Sequence, residues 1–276
     1  MPAPIDAHRL RQRAAILHAV REALHAEGFL EVQPPILVSG PALEDTLEAV
    51  RADGGSLHTS PEFALKRTLA AGLPRIYAIV PTFRDEEHGR HHAREFTMLE
   101  LYLCNGGYLD LVPVVETIVA AAAAAVNVPA PVFARRTVAE LFGGAVPPDD
   151  DTFYFQWVDR IEPTLTAPTF VLDYPARQAA LAEVRGDVSE RLEVYLGGLE
   201  LGNGFSELRD PEELRARFLR SAARRVALGR TPHPVDEGVI DASGRMPRCT
   251  GIAIGFDRLV MALVGEEDIA RVQIPR

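Results

Sequence analysis

Leu10, Leu17, Val20 and Leu24 recur at helical intervals after Asp6, a residue that can cap the nitrogen end of a helix, and Gly28 supplies a stop. The spacing predicts an amphipathic helix. Residues 28–38 (GFLEVQPPILV) then carry the short apolar runs of a strand, broken by Pro34 and Pro35, which cannot donate to a central ladder. That segment is expected at a sheet edge or an interface. Residues 76–83 and 95–103 read as two strands, and the polar stretch between them, residues 84–94, is longer than a tight hairpin needs. A long polar loop held by two strands carries function more often than packing. Residues 134–173 are richer in Pro and Asp and weakly patterned, which predicts a connecting insertion with one or two helices. Beyond it, residues 193–200 read as a strand, 211–228 as a basic amphipathic helix, and 251–256 as a strand running into a helix at Asp257. The strands are too many for an all-helical fold. No repeat or low-complexity linker divides the chain, so one domain spanning residues 1–276 is expected.

Composition narrows the class. With 47% hydrophobic residues, a chain of 276 residues can fill one large core. Its 39 acidic residues against 29 Lys and Arg leave a net charge of −10, which disfavours nonspecific gripping of nucleic acid. Cys104 and Cys249 are the only cysteines, so a disulfide scaffold and a CxxC-type zinc site are both excluded, and a reducing cytoplasm fits best. The start, MPAPIDAHRL, lacks the basic stretch and apolar run of a secretory signal. The most apolar stretch, residues 109–128, contains Asp110, Glu116 and Asn127, and reads as a packed helix, not a membrane span.

Four segments carry candidate chemistry. In the strand 95–103, alternation puts Phe96, Met98, Glu100 and Tyr102 on one face, a mixture that suits a pocket floor better than a solvated surface. Arg84 closes the preceding strand, where its guanidinium could hold a phosphate or carboxylate through two parallel hydrogen bonds. The loop after it holds Asp85, Glu86, Glu87, His88, Arg90, His91 and His92; a metal cluster of His88, His91 and His92 is a rival, although neighbours in an extended segment point to opposite faces. In ELGNGFSEL, residues 200–208, glycines allow close backbone approach, and the paired carboxylates suit magnesium or a cationic amine. In GIAIGFDRLVMAL, residues 251–263, Arg258 near a helix start suits a polyphosphate. Neither GxxxxGK[ST] nor GxGxxG occurs, so neither familiar phosphate cradle explains the site.

In order, these segments resemble the three signatures of class II aminoacyl-tRNA synthetases, specifically the lysine branch, over nearly the whole chain. Residues 28–37 resemble the first signature, with Pro35 at its proline; TFRDEE (82–87) through EFTMLELY (95–102) resembles the second, and GIAIGFDR (251–258) the third. TSPEFALKR (59–67) and ELGNGFSEL are similar to lysine-recognition segments. The resemblance implies an α+β fold, a six- or seven-stranded mostly antiparallel sheet flanked by helices, and a homodimer formed through the first signature. It implies ATP and Mg2+ as cofactors. Arg84 and Arg258 would be the catalytic pair, Arg84 on the α-phosphate and substrate carboxylate and Arg258 on the γ-phosphate. Phe96 would stack on adenine, Glu86 would read its edge, Gly255 would leave room for the nucleotide, and Asp85 and Leu201 would line the same site. Glu200 and Glu207 would hold the metal. Ser60, Pro61, Glu62, Glu100, Tyr102, Asn203 and Glu207 would surround the amino groups of a diamino acid. The chemistry implied is attack of an amino-acid carboxylate on the α-phosphate of ATP, giving an aminoacyl adenylate and pyrophosphate.

The acceptor follows from what the pattern lacks. Only residues 1–27 precede the first signature, too few for the anticodon-binding OB barrel of a lysyl-tRNA synthetase. With the acidic net charge, this makes stable tRNA binding unexpected. The resemblance is therefore to the truncated lysyl-tRNA synthetase paralogues that attach (R)-β-lysine to a lysine of translation elongation factor P. Those ligases show alanine where Ala253 stands, and the synthetases glycine, so Ala253 is expected to help select a β-amino acid. Ala93 and Arg94 replace the family's Asn-Pro, which removes an amide contact to the nucleotide that Arg94 could replace. A different acceptor, such as a tRNA mimic, a free amine or ammonia, and a silent amino-acid sensor are the alternatives.

Overall fold

The computed structural model describes residues 5–43 and 45–274. Asp6 caps the first helix, α1 (Ala7–Ala26), by accepting from the amides of His8 and Arg9, and Gly28 ends it at a φ of +79°. The chain continues through β1 (Leu30–Glu31), β2 (Leu37–Val38), β3 (Arg51–Ala52), β4 (Gly55–Leu57), α2 (Glu62–Ala70), β5 (Arg75–Phe83) and β6 (Glu95–Cys104). Then follow α3 (Leu111–Ala125), β7 (Ala134–Thr137), α4 (Val138–Leu141), α5 (Asp150–Gln156), β8 (Thr169–Pro175) and β9 (Val184–Arg185). The remainder is β10 (Val188–Leu196), β11 (Leu199–Ser206), α6 (Pro211–Ala227), α7 (Glu237–Ser243), β12 (Cys249–Gly255) and α8 (Phe256–Val264).

Among the described residues, nine strands form one sheet in the order β1-β5-β6-β12-β11-β10-β8-β7, with β9 on β10. The six strands from β5 to β8 in that path pair antiparallel. The count exceeds the expected six or seven because three short strands join them, β1 and β7 in parallel at the two edges and β9 beside β10. The α+β character and mostly antiparallel sheet agree with expectation. The edge place of residues 28–38 does too, since β1 pairs on β5 alone.

One face of the sheet packs on α1, α3 and α8, where Leu99, Leu101, Leu192, Val194, Ile252 and Ile254 meet the buried sides of these helices. The stretch Tyr108–Ala125 is long and apolar enough to cross a membrane by composition, yet its Leu111, Val115, Ile118, Val119 and Ala122 are buried in this core. The other face of the sheet is left for a cavity.

Two sequence expectations need correction. Residues 193–200 are not one strand: β10 ends at Leu196, Gly197 and Gly198 turn with φ of +62° and +79°, and β11 begins at Leu199. Positive φ at both turn residues matches the twist of flanking strands, which is why glycines occupy the hairpin. Residues 134–173 are not wholly an insertion either. Both ends, β7 and β8, belong to the main sheet, and α4 and α5 lie between them over an apolar cluster of Phe153, Trp157, Val171 and Tyr195.

Candidate active site

Strand alternation builds the cavity floor. On β6, Phe96, Met98, Glu100 and Tyr102 face the cavity, while Leu99 and Leu101 face the core. Across the sheet, Glu100 lies opposite Ala253 of β12, and Ala253 lies opposite Asn203 of β11. The Ala253 methyl therefore sits between a carboxylate and an amide. Gly251 faces Tyr102, and a Cβ there would lie 2.3 Å from the phenol ring, so only glycine lets the ring cross. Strict alternation would turn Glu200 away from Asn203, Phe205 and Glu207. A β-bulge prevents this: Val194 pairs with Gly202 and Tyr195 with Glu200, leaving Leu201 as the extra residue. All four side chains then line one cavity.

One end of the floor is strongly acidic. Glu100 is buried and accepts from Tyr102 Oη and Ser60 Oγ, both at 2.6 Å. Lys66 of α2, itself buried, bonds Glu62 and lies 2.6 Å from Glu207 Oε2, with its ammonium 5.5 Å from the centre of the Phe205 ring. Glu207 Oε1 has no partner among the described residues. The Lys66 ammonium thus pairs with two of the three carboxylates, while Glu100 takes its hydrogen bonds from hydroxyls, and the electrostatics follow. Burial opposes the Lys66 charge, but Glu207 and Glu62 outweigh it and raise its pKa. Burial pushes the Glu207 carboxyl up to about 8 against the pull of Lys66, and burial with Glu62 pushes Glu100 up to about 7. The end of the floor is short of positive charge, as a receptor for ammonium groups should be.

The other end is cationic. Arg84 stands over Phe96, its guanidinium carbon 5.2 Å from the ring centre, and donates to Thr59 O and, at 3.4 Å, to Glu87. Arg258, in the first turn of α8, donates to Glu200 O at 2.8 Å and to His92 Nε2 at 2.6 Å. Arginine has no acceptor, so this His92 nitrogen is unprotonated. Burial and then Arg258 hold the His92 pKa down. Burial and Glu193 push the Glu200 carboxyl up to about 7, opposed by Arg258 and Arg191. Neighbouring Asp257 is buried and accepts from Thr97 N, Gln273 and Arg13, which fixes the start of α8 against β6 and α1.

The cavity thus brings together Arg84, Phe96, Glu200, Leu201, Gly255 and Arg258 with Ser60, Glu62, Glu100, Tyr102, Asn203, Glu207 and Ala253. Three expected residues lie outside it. Asp85 pairs with Arg94 at 2.8 Å. Glu86 has a left-handed backbone, φ +67°, that turns its side chain out to solvent, where it meets Arg230 at 3.5 Å. Pro61 caps α2 and lines a neighbouring hollow with Pro35 and Arg67. Arg94 is spent on Asp85 and does not stand in for the missing amide; Ala93 is the residue that reaches the cavity.

The pairing of Glu200 with Glu207 as metal ligands also fails geometrically. Seven residues of strand with one bulge place them roughly 20 Å apart along β11, and Glu207 is held by Lys66. No group of three His, Cys, Asp or Glu among the described residues is arranged for a metal, so the His88, His91 and His92 cluster does not form. His91 and His92 both line the cavity because the loop turns at Gly89–His92 and is not extended there. The arginines of α6 are paired with acids of this chain: Arg215 meets Glu237, Arg217 and Arg220 meet Glu213, Arg224 meets Asp45 and the buried Arg225 meets Glu48. Sequence reasoning missed Lys66 and the row Arg191, Glu193, Tyr195. The available signal was alternation in β10, where these polar groups recur every second residue opposite Leu192, Val194 and Leu196.

Comparison with known proteins places the chain in a family. Residues 4–274 match the family model described as "tRNA synthetases class II (D, K and N)". The chain is 35% identical over 308 residues to the Elongation factor P--(R)-beta-lysine ligase of Vibrio cholerae, covering 96% of this chain and 94% of that protein. The proteins of the same name from Pectobacterium atrosepticum and Erwinia tasmaniensis are 34% and 35% identical, each with 95% of this chain and 93% of theirs covered. A match across the whole cavity-bearing sheet establishes the relationship: the chain belongs to the class II tRNA synthetase family.

Proposed function

We propose that this enzyme activates (R)-β-lysine, or lysine, with ATP and transfers the aminoacyl group to a lysine side chain of translation elongation factor P. Family membership implies ATP use, typically with a divalent metal. The similar ligases carry this substrate and acceptor in their name. The observation that carries the reading is the polarity of one floor: three carboxylates at one end, two of them paired with the Lys66 ammonium, and two guanidinium groups at the other.

A diamino acid lies with its amines toward Glu62, Glu100 and Glu207 and its carboxylate toward Arg84. The nucleotide base stacks on Phe96, and Arg84 and Arg258 spread over the phosphates. A carboxylate oxygen attacks the α-phosphorus, the bridging bond to the β-phosphate breaks, and pyrophosphate leaves. The acceptor amine then attacks the acyl carbon, AMP departs with the bonding pair, and the amine loses a proton. No side-chain nucleophile is needed, since positioning and charge stabilisation supply the acceleration. Glu200 would hold Mg2+, which would offset negative charge on the polyphosphate. His92, unprotonated at Nε2, keeps Arg258 extended into the cavity. Ala253, between Glu100 and Asn203, would favour a β-amino acid by filling the space beside the displaced amine.

ATP–pyrophosphate exchange with α-lysine, (R)-β-lysine and (S)-β-lysine, followed by mass analysis of elongation factor P and of tRNA, tests the reading. The expected result is exchange with (R)-β-lysine and an added aminoacyl mass on the protein. Charged tRNA with unmodified protein would overturn the acceptor, and absent exchange would leave an amino-acid sensor. An exchange preference unaltered by Ala253→Gly would remove the role given to that methyl. A homodimer formed through residues 28–38 and a cytoplasmic location without stable tRNA binding complete the proposal.

A further inference from the structure

We infer that Arg191 is a positioning residue that fixes the amide of Asn203 with its NH2 toward the cavity, so that Asn203 donates to a substrate oxygen and does not accept from an amine. The inference rests on the proposed reaction and reverses one part of the sequence expectation, which placed Asn203 among the residues around the amino groups.

The argument begins with donors and acceptors. Arg191 Nε lies 3.1 Å from Asn203 Oδ1. A guanidinium only donates, so the oxygen of the amide must be the atom facing it, whichever way an amide is otherwise assigned. The amide's oxygen is thereby turned to Arg191. Its Nδ2 makes no hydrogen bond within the described residues, and Asn203 lines the cavity. What this side chain offers a ligand is two N–H donors.

Arg191 is itself held from several sides. Nη1 donates to Gln178 O at 3.0 Å and Nη2 to Glu193 Oε1 at 2.6 Å, while the guanidinium carbon lies 4.4 Å from the centre of the Tyr174 ring. Glu193 in turn accepts from Tyr195 Oη at 2.8 Å. Glu193 is directly opposite Asn203 in the β10–β11 ladder, with Arg191 on the diagonal. A planar fork tied at three corners has little freedom to release the amide.

Position along β11 identifies the oxygen. Asn203 lies four residues from Glu207 on one face, about 13 Å along the strand, and toward Glu200 and the Arg258 end. An amino acid anchored at Glu207 by its terminal amine brings its carboxylate to that region. The NH2 therefore meets the reacting carboxyl group, where a donor holds one oxygen in place while the other attacks the α-phosphorus.

The decisive substitution is Asn203→Asp, which keeps an acceptor for Arg191 but replaces the NH2 with a second oxygen. The expected result is undiminished thermal stability and a fall in pyrophosphate exchange of roughly a hundredfold or more, because repulsion between two carboxylates replaces a hydrogen bond. Calorimetric titration gives a second readout: Asn203→Asp should weaken binding of lysine but not of cadaverine, a diamine without a carboxylate. Arg191→Met should lower exchange in the wild-type background and add no further loss in Asn203→Ala. Retained exchange in Asn203→Asp, equal loss of lysine and cadaverine, or additive losses in the double variant would each overturn the inference. Absent exchange in the unsubstituted enzyme would instead fail the proposed reaction, and the titration pair would still decide the direction of the amide.

Discussion

Lys66 shows how one buried charge sets the behaviour of its neighbours. Its ammonium serves Glu62 and Glu207, yet Glu100 and Glu207 still titrate upward, to about 7 and about 8, because burial dominates both. Only the ionised carboxylates attract an ammonium. The apparent affinity for the amino acid should therefore rise between pH 6 and pH 8.5, seen as a falling KM in pyrophosphate exchange; a flat profile would contradict the receptor. Stability should move the other way. Carboxyls whose folded pKa lies above the unfolded value hold more protons when folded, so their contribution is lost as pH climbs from about 4.5 through 7 to 8. Lys66→Met removes the cation paired with Glu62 and Glu207 and should destabilise the fold by about 3–5 kcal/mol at pH 8. The loss should shrink at pH 5.5, where protonation has already discharged Glu100 and Glu207. Denaturant unfolding at the two pH values would measure it.

At the scale of elements, the site depends on register more than on any loop. Gly251 illustrates the tolerance: its Cβ would meet carbons of Tyr102 at 2.3 and 2.4 Å, and that phenol donates to Glu100. Gly251→Ala should cost about 1–3 kcal/mol by overpacking and raise KM for the amino acid, with circular dichroism melting and exchange kinetics as the measurements. Much at this scale was legible. The two strands flanking the 84–94 loop, the helix capped by Asp6 and the shared face of Phe96, Met98, Glu100 and Tyr102 all follow from alternation and capping. The β10–β11 hairpin was misread because LEVYLGGLELG is apolar on both sides of its turn, although the Gly-Gly pair was itself a hairpin signal. The bulge at Leu201 has no signature in composition. It exists only as a mismatch between the pairing of two strands, and it alone aims Glu200 into the cavity.

For the whole molecule, the edge of the sheet at β1 is where assembly is expected. Leu30 of β1 is exposed there, as are Ile36 and Leu37 farther along the same segment, where Pro34 and Pro35 separate β1 from β2 and β2 pairs with β4 in a second, three-stranded sheet. A second copy covering this edge would account for them. Sedimentation should give a dimer, and Leu37→Glu should shift it to a monomer; a monomeric unsubstituted protein would exclude the assembly.

Short-range physics read directly from the chain determined a good deal: the capped first helix, the strand faces, the absence of a disulfide framework, and the ordered residues that mark the family. These rest on spacing within a few residues, which the sequence states outright. Only the tertiary structure decided that Lys66 pairs with Glu207, that Glu86 and Asp85 turn outward, and that Arg191 bonds Asn203. Each joins or separates groups through a loop conformation, a bulge or a cross-strand diagonal. Such contacts depend on the competition for buried partners across the whole sheet, and a side chain's own neighbours in sequence carry no record of that competition.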